Sequence, residues 1–181
     1  MIRPTAWAGL LATLQVLAPA PAQETDSPDR YQLDFNGLRA PVDARWLTDD
    51  RLVILESAPP AIRITDWLEC STATDIDCGE PAGLAIGPDD TILVTDAARN
   101  RILQLAPDGT TVRIIEPSDG LRHPTGIAMH DGHLYVADTG NDRIAVLDLD
   151  GTLLRSIGSR GVAPGRFRRP QGLDIDAADR I

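Results

Sequence analysis

One short pattern recurs along this chain, and it constrains the fold more than any other feature. Pro81-Ala82-Gly83-Leu84-Ala85-Ile86 leads to Val94-Thr95-Asp96-Ala97-Ala98-Arg99-Asn100-Arg101-Ile102, and Pro124-Thr125-Gly126-Ile127-Ala128-Met129 leads to Val136-Ala137-Asp138-Thr139-Gly140-Asn141-Asp142-Arg143-Ile144. A third copy begins at Pro170-Gln171-Gly172-Leu173-Asp174-Ile175 and runs to Ile181. The prolines lie 43 and 46 residues apart, a period that belongs to stacked blades or solenoid units and not to a single enzyme core. A degenerate copy lies upstream, where Pro41, Asp49-Asp50, Leu55-Glu56 and Ile62 each precede by 40 residues Pro81, Asp89-Asp90, Thr95-Asp96 and Ile102. Repetition therefore starts near residue 38.

Each repeat reads as four short strands. In the clearest copy the strands are expected at Gly126–Met129, His133–Asp138, Arg143–Leu149 and Leu153–Ser156. Asp131-Gly132, Thr139-Gly140-Asn141 and Asp150-Gly151 supply the turns between them. No stretch carries a 3.6-residue apolar period, so helices are not expected. A four-stranded unit of about 40–45 residues has the length of a β-propeller blade.

The string P-x-G-[LI]-A followed by V-[TA]-D and, after a short turn, R-I resembles the NHL repeat, strongly over residues 81–181 and weakly over 39–80. The resemblance implies an all-β propeller of four-stranded NHL-type blades, of the kind usually met six to a ring. About three and a half blades are expected in this sequence, which then reads as the amino-terminal, exported-type portion of a longer propeller with its fourth blade truncated. Residues 39–181 form the blade region, and residues 23–38 a lead-in that includes the place of a ring-closing strand.

Residues 1–22 read as a secretory signal peptide. Arg3 supplies the positive charge, the run from Ala6 to Ala18 the apolar core, and Ala20-Pro21-Ala22 a small-x-small cleavage site. Pro19, Pro21 and Gln15 interrupt the run before it reaches the length of a bilayer span. A secreted or periplasmic location is expected, with no membrane span after signal removal. Cys70 and Cys78 bracket a short polar loop, and in an oxidising compartment such a pair is most simply a disulfide.

Seventeen basic residues stand against 27 acidic ones, for a net charge of −10. That balance repels phosphate backbones, so no nucleic-acid partner is expected. The chain has no G-x-S-x-G elbow, no H-E-x-x-H helix and no Gly-rich phosphate loop. No catalytic residue, cofactor or metal is assigned on this reading. His130 and His133, flanking Asp131-Gly132, could pinch a metal but bring no third ligand.

In a propeller, the loop leading into the first strand of a blade shares one face with the turn between the second and third strands. That face is the expected binding mouth. Asp96, Asn100, Arg101, Asp138, Asn141 and Arg143 are assigned to the turns themselves, as acceptors of backbone amides, as left-handed turn residues and as cations pairing with the neighbouring Asp. Arg99, Arg122, His123, Arg168 and Arg169 fall outside that turn logic and are the candidate ligand contacts. A protein, a peptide or a small anionic or polar molecule is the expected partner.

The principal enzyme alternative is a peptidyl-hydroxyglycine lyase-like propeller. In that type zinc histidines follow the loop proline directly, but here those places hold Val42, Ala82, Thr125 and Gln171. A lactonase-like propeller would use channel carboxylates around calcium, and Asp174 is the one carboxylate this reading places in a first strand. The expected function is a binding or scaffolding module acting through its loop face. The alternative is a propeller enzyme whose catalytic residues lie beyond the residues given.

Overall fold

The computed structural model describes residues 38–65 and 73–176. The expected signal peptide and most of the lead-in lie outside the described residues, as does Cys70. Three four-stranded antiparallel sheets follow one another in sequence. The first contains β1 (Pro41–Trp46), β2 (Leu52–Ser57), β3 (Pro60–Thr65) and β4 (Ala73–Asp75). The second contains β5 (Pro81–Ile86), β6 (Ile92–Asp96), β7 (Arg101–Leu105) and β8 (Thr111–Ile115), and the third β9 (Pro124–His130), β10 (His133–Asp138), β11 (Arg143–Leu147) and β12 (Leu153–Ile157). Each sheet is a meander whose neighbours in sequence are neighbours in space, and the three do not close a ring. The all-β propeller expectation holds.

The strand limits shift by small amounts, each for a local reason. β9 begins two residues earlier than expected because Pro124 already pairs with Asp138. β11 stops at Leu147 because the Asp148 carboxylate turns back to accept the amides of Asp150 and Thr152, at 2.9 and 2.8 Å. The Asp131-Gly132 hairpin has both residues at positive φ, 46° and 72°, the signature of a type I′ turn. Among the described residues there is no α-helix; single 3₁₀ turns occur at Pro88–Asp90 and Thr139–Asn141.

The sheets stack face to face, and the apolar pattern follows from that. β6 is buried at every position and β10 at all but its first, because a middle strand flanked by neighbouring blades meets apolar groups on both faces. One cluster joins blades one and two through Leu55, Ile62, Leu84, Val94 and Leu103. A second joins blades two and three through Ile102, Ile115, Ile127, Leu134 and Val136. On the far face of blade three, Tyr135, Ile144 and Val146 are met by Ile157 of β12 and by Phe167, Leu173 and Ile175 from the segment that follows.

The repeated glycine is required by the approach of neighbouring inner strands. A Cβ on Gly83 would collide with the Thr125 carbonyl, and one on Gly126 with the Gln171 carbonyl. The Gly126 amide donates to that same Gln171 oxygen at 2.7 Å. Blade one departs from the pattern: Asp43 takes the glycine's place, and its carboxylate accepts the Leu84 amide at 3.1 Å. β1 therefore also carries a carboxylate, and Asp174 is not the single first-strand acid that the sequence suggested.

Candidate loop-face binding site

The face formed by the lead-in loops and the turns between second and third strands is organised by three buried acids. Glu56 stands one residue before the end of β2, and Asp96 and Asp138 end β6 and β10, each 0–1% exposed. Asp138 accepts the Arg122 amide at 2.7 Å, the Asn141 side-chain amide at 2.8 Å and Arg143 Nε at 2.7 Å. Asp96 accepts the amides of Gly79, Glu80 and Arg99 at 3.1–3.2 Å, together with Arg101 Nε at 3.2 Å. Burial alone would raise the Asp96 pKa, but those amides and the Arg101 guanidinium outweigh it and hold the carboxyl below its ordinary value. In blade one Glu56 accepts the Arg39 amide and Arg63 Nε, both at 3.2 Å. Glu56 pairs across the sheet with Ala61, not with its arginine; the longer acid reaches Arg63, two residues farther along the strand. Each acid thus fastens the loop that leads into its blade to the turn at the blade's middle.

A second set of bonds ties each blade to the next. Asn100 Oδ1 accepts the His123 amide at 2.7 Å, and Asp142 Oδ1 accepts the Arg169 amide at 2.8 Å. Asn100 and Asp142 are structural equivalents, both left-handed, at φ 56° and 55°. The sequence reading aligned Asn100 with Asn141, but Asn141 stands one residue earlier, in the place of Arg99, and binds Asp138 and the Gly120 carbonyl instead. The turns differ in which residue supplies the capping amide, and that hides the offset from a pattern search. Hydroxyls complete the seam: Thr95 Oγ1 donates to the Thr125 carbonyl and Thr139 Oγ1 to the Pro170 carbonyl, each at 2.6 Å.

The five candidate contacts separate into two kinds. Arg99 is committed, with Nη1 2.9 Å from Asp77 Oδ1, 3.0 Å from the Asp77 carbonyl and 3.6 Å from Asp96. Arg122, Arg168 and Arg169 are exposed, and among the described residues their guanidinium groups have no partner. The backbones of Arg122 and Arg169 are fixed all the same. The Arg122 carbonyl accepts the Gly140 amide at 2.7 Å, and Arg169 is held left-handed at φ 50° by Asp142, as His123 is at the same φ by Asn100. The turn from Asp138 to Arg143 therefore has Arg122 on one side and Arg169 on the other. Arg160 Nε approaches Asp142 Oδ2 at 3.8 Å from the same connection. Residues 158–172 carry Arg160, Arg166, Arg168 and Arg169 and no acid, so the face is locally cationic on an acidic chain.

Cys78 lies three residues before its loop proline, the position held by Leu121 and Phe167 in the later repeats. Like them it packs into an inter-blade cluster, 6% exposed, and has no disulfide partner among the described residues. Burial and then the Asp96 charge push its pKa up to about 12. His130 and His133 pair across the β9–β10 hairpin, with His130 Nε2 3.6 Å from Asp131. No group of three or more metal-ligating side chains occurs among the described residues. Nor do those residues contain a helix long and apolar enough to cross a membrane.

The family model of the NHL repeat matches residues 121–147, the span from the buried Leu121 through β9, β10 and β11. Among solved structures, a chain of a nidogen/laminin complex is 26% identical at a TM-score of 0.63, covering 77% of this chain and 54% of that one. Virginiamycin B lyase from Staphylococcus aureus is 19% identical at a TM-score of 0.62, with 75% and 45% covered. A streptogramin B lyase is 19% identical at a TM-score of 0.55, with 63% and 39% covered. This chain thus spans between two fifths and just over half of the length of these relatives. It carries an NHL repeat at residues 121–147, set within consecutive four-stranded propeller blades.

Proposed function

We propose that the chain is an exported propeller module that binds an anionic or polar group of a protein, peptide or small molecule through its loop face. The observation that supports this reading most is the trio Arg122, Arg168 and Arg169, exposed and, among the described residues, without side-chain partners, with the Arg122 and Arg169 backbones pinned by Asp138 and Asp142. Guanidinium groups present paired donors that match a carboxylate, and a stem already fixed at the backbone loses less freedom on binding. The net charge of −10 disfavours nucleic acid, and the local arginines favour a single carboxylate, as on a peptide or an acidic sugar. Poly-L-glutamate immobilised on a matrix tests the reading. The protein should be retained at low salt, and the double variant Arg122→Ser/Arg169→Ser should elute markedly earlier with an unchanged melting temperature. Equal retention of the two would overturn the loop face as the binding surface.

A further inference from the structure

The chain contains four Asp-Gly dipeptides, at residues 108–109, 119–120, 131–132 and 150–151. Each has its glycine at positive φ, yet the four turns hold the two residues differently. The Gly109 amide donates to the Ala106 carbonyl at 2.9 Å, the Gly120 amide to Pro117 at 3.0 Å and the Gly151 amide to Asp148 at 3.1 Å. Two of these acids are held as well. Asp108 accepts the Thr110 amide and hydroxyl at 2.9 and 2.7 Å, and Asp150 pairs with Arg113 at 3.0 Å. Asp131-Gly132 is held at neither residue. Among the described residues the Gly132 amide has no acceptor, and a Cβ on Gly132 would meet nothing within 4 Å. The Asp131 carboxylate is 82% exposed, and the charged group paired with it, His130 Nε2, stands at 3.6 Å, beyond hydrogen-bond length.

An aspartate followed by glycine can close on itself, because glycine has no side chain to block the approach of its nitrogen to the acid. We propose that Asp131-Gly132 is a modification site, the place where the folded chain converts aspartate to isoaspartate. The Gly132 nitrogen attacks Cγ of the protonated Asp131 carboxyl. An N–Cγ bond forms, a carboxyl C–O bond breaks, and the amide proton leaves with the carboxyl hydroxyl as water. A second water then opens the five-membered imide. Addition at Cγ restores aspartate, whereas addition at the Asp131 main-chain carbonyl carbon breaks its bond to the Gly132 nitrogen and leaves the chain running through the side-chain carboxyl. That product adds one carbon to the path of a two-residue loop, at φ 46° and 72°, that closes the His130–His133 pair, so the end of the β9–β10 hairpin should loosen. The site lies at the other end of β9 from Pro124 and does not rest on the loop-face reading.

Incubating the folded full chain at neutral pH in water enriched in oxygen-18 tests this, since each opening of the imide leaves one heavy oxygen on the residue. Arginines separate the four dipeptides, so trypsin releases them in different peptides, residues 102–113, 114–122, 123–143 and 144–155. Fragmentation should place the label of the third peptide on Asp131, with the isoaspartyl form among its products. Breaking one ordinary amide hydrogen bond slows the attack by about fivefold, so Asp131 should gain label at least about fivefold faster than the other three aspartates. In the chain unfolded by guanidinium the four should gain label at comparable rates, which shows that the fold and not the dipeptide selects the site. A melting curve on the incubated sample confirms that the chain is folded. Absence of label on Asp131, equal labelling of the four in the folded protein, a faster site at one of the other three, or the same preference in the unfolded chain would each overturn the proposal.

Discussion

Replacing Asp138 by Ala would remove three interactions from a site with no access to water. Asp138 is 0% exposed and accepts the Arg122 amide, the Asn141 amide and Arg143 Nε. The stranded backbone amide alone should cost about 1–3 kcal/mol. Breaking a fully buried ion pair costs about 3–5 kcal/mol, but Arg143 keeps a bond to Ser156 Oγ at 3.1 Å and 20% of its side chain is in contact with solvent. The pair therefore contributes less than that range, and the sum should be about 3 kcal/mol. For a chain of this size that lowers the melting temperature by about 6–12 °C. Asp138→Asn keeps an acceptor for the Arg122 amide and loses the charge, so it should fall between the variant and the parent. As a control, Asp150→Ala breaks an ion pair whose acid is 81% exposed and should change little. Differential scanning calorimetry on the parent and the three variants gives the comparison. An Asp138→Ala protein melting within about 2 °C of the parent would refute the view that this acid fastens the lead-in loop to the turn.

The inner-strand glycines offer a paired test: Gly126→Ala drives a Cβ into the Gln171 carbonyl and should destabilise by about 1–3 kcal/mol, whereas Gly172→Ala in the 181-residue chain meets nothing within 4 Å and should be close to neutral in urea unfolding. Because the Asp96 pKa is depressed in the folded state, its contribution is present above the unfolded carboxylate pKa and is lost as pH falls through the folded one. The urea midpoint of the parent should therefore fall more steeply than that of Asp96→Asn between about pH 5 and pH 2. The Cys78 thiol, buried and pushed up to about 12, should resist alkylation at neutral pH in the folded protein and react fully once it is denatured. Rapid labelling of Cys78 in native protein would show that the blade-one to blade-two cluster opens there.

What could be read from the sequence was whatever the repeat obliges every blade to keep. The glycine after the proline, the acid ending the second strand and the arginine opening the third each answer a geometric need that recurs, so they recur at fixed spacing. What escaped were local substitutions serving the same need by another route. Glu56 with Arg63 does the work of Asp96 with Arg101, but its longer side chain moves the partner two residues along and breaks the pattern. Asp43 replaces a close backbone approach with a carboxylate bond to the Leu84 amide. The match of Cys78 to Leu121 and Phe167 becomes visible only once the loop is counted back from the proline. Arg99 looked unassigned because its partner, Asp77, lies in the preceding loop, 22 residues away in sequence.

The same comparison bears on why a binding site would sit on this face. The lead-in loops at Arg122 and Arg169 are held through their own backbone: the amides of Arg122, His123 and Arg169 donate to Asp138, Asn100 and Asp142 in turn. A loop anchored by its amides places no demand on its side chains, whereas a loop anchored by side chains, as Arg99 and Arg101 anchor Asp77, has its residue types fixed by the fold. The repeat therefore holds these positions at constant geometry while leaving their chemistry open, and Gly79, Arg122 and Arg168 occupy equivalent places with quite different side chains. Arginine at two such positions in succession, on a chain whose other charges are mostly acidic, contributes nothing visible to the turns or the core. The acids that hold the blade are thus separable from cations that the turns do not use, and that separation is the ground on which we propose the loop face as a binding surface.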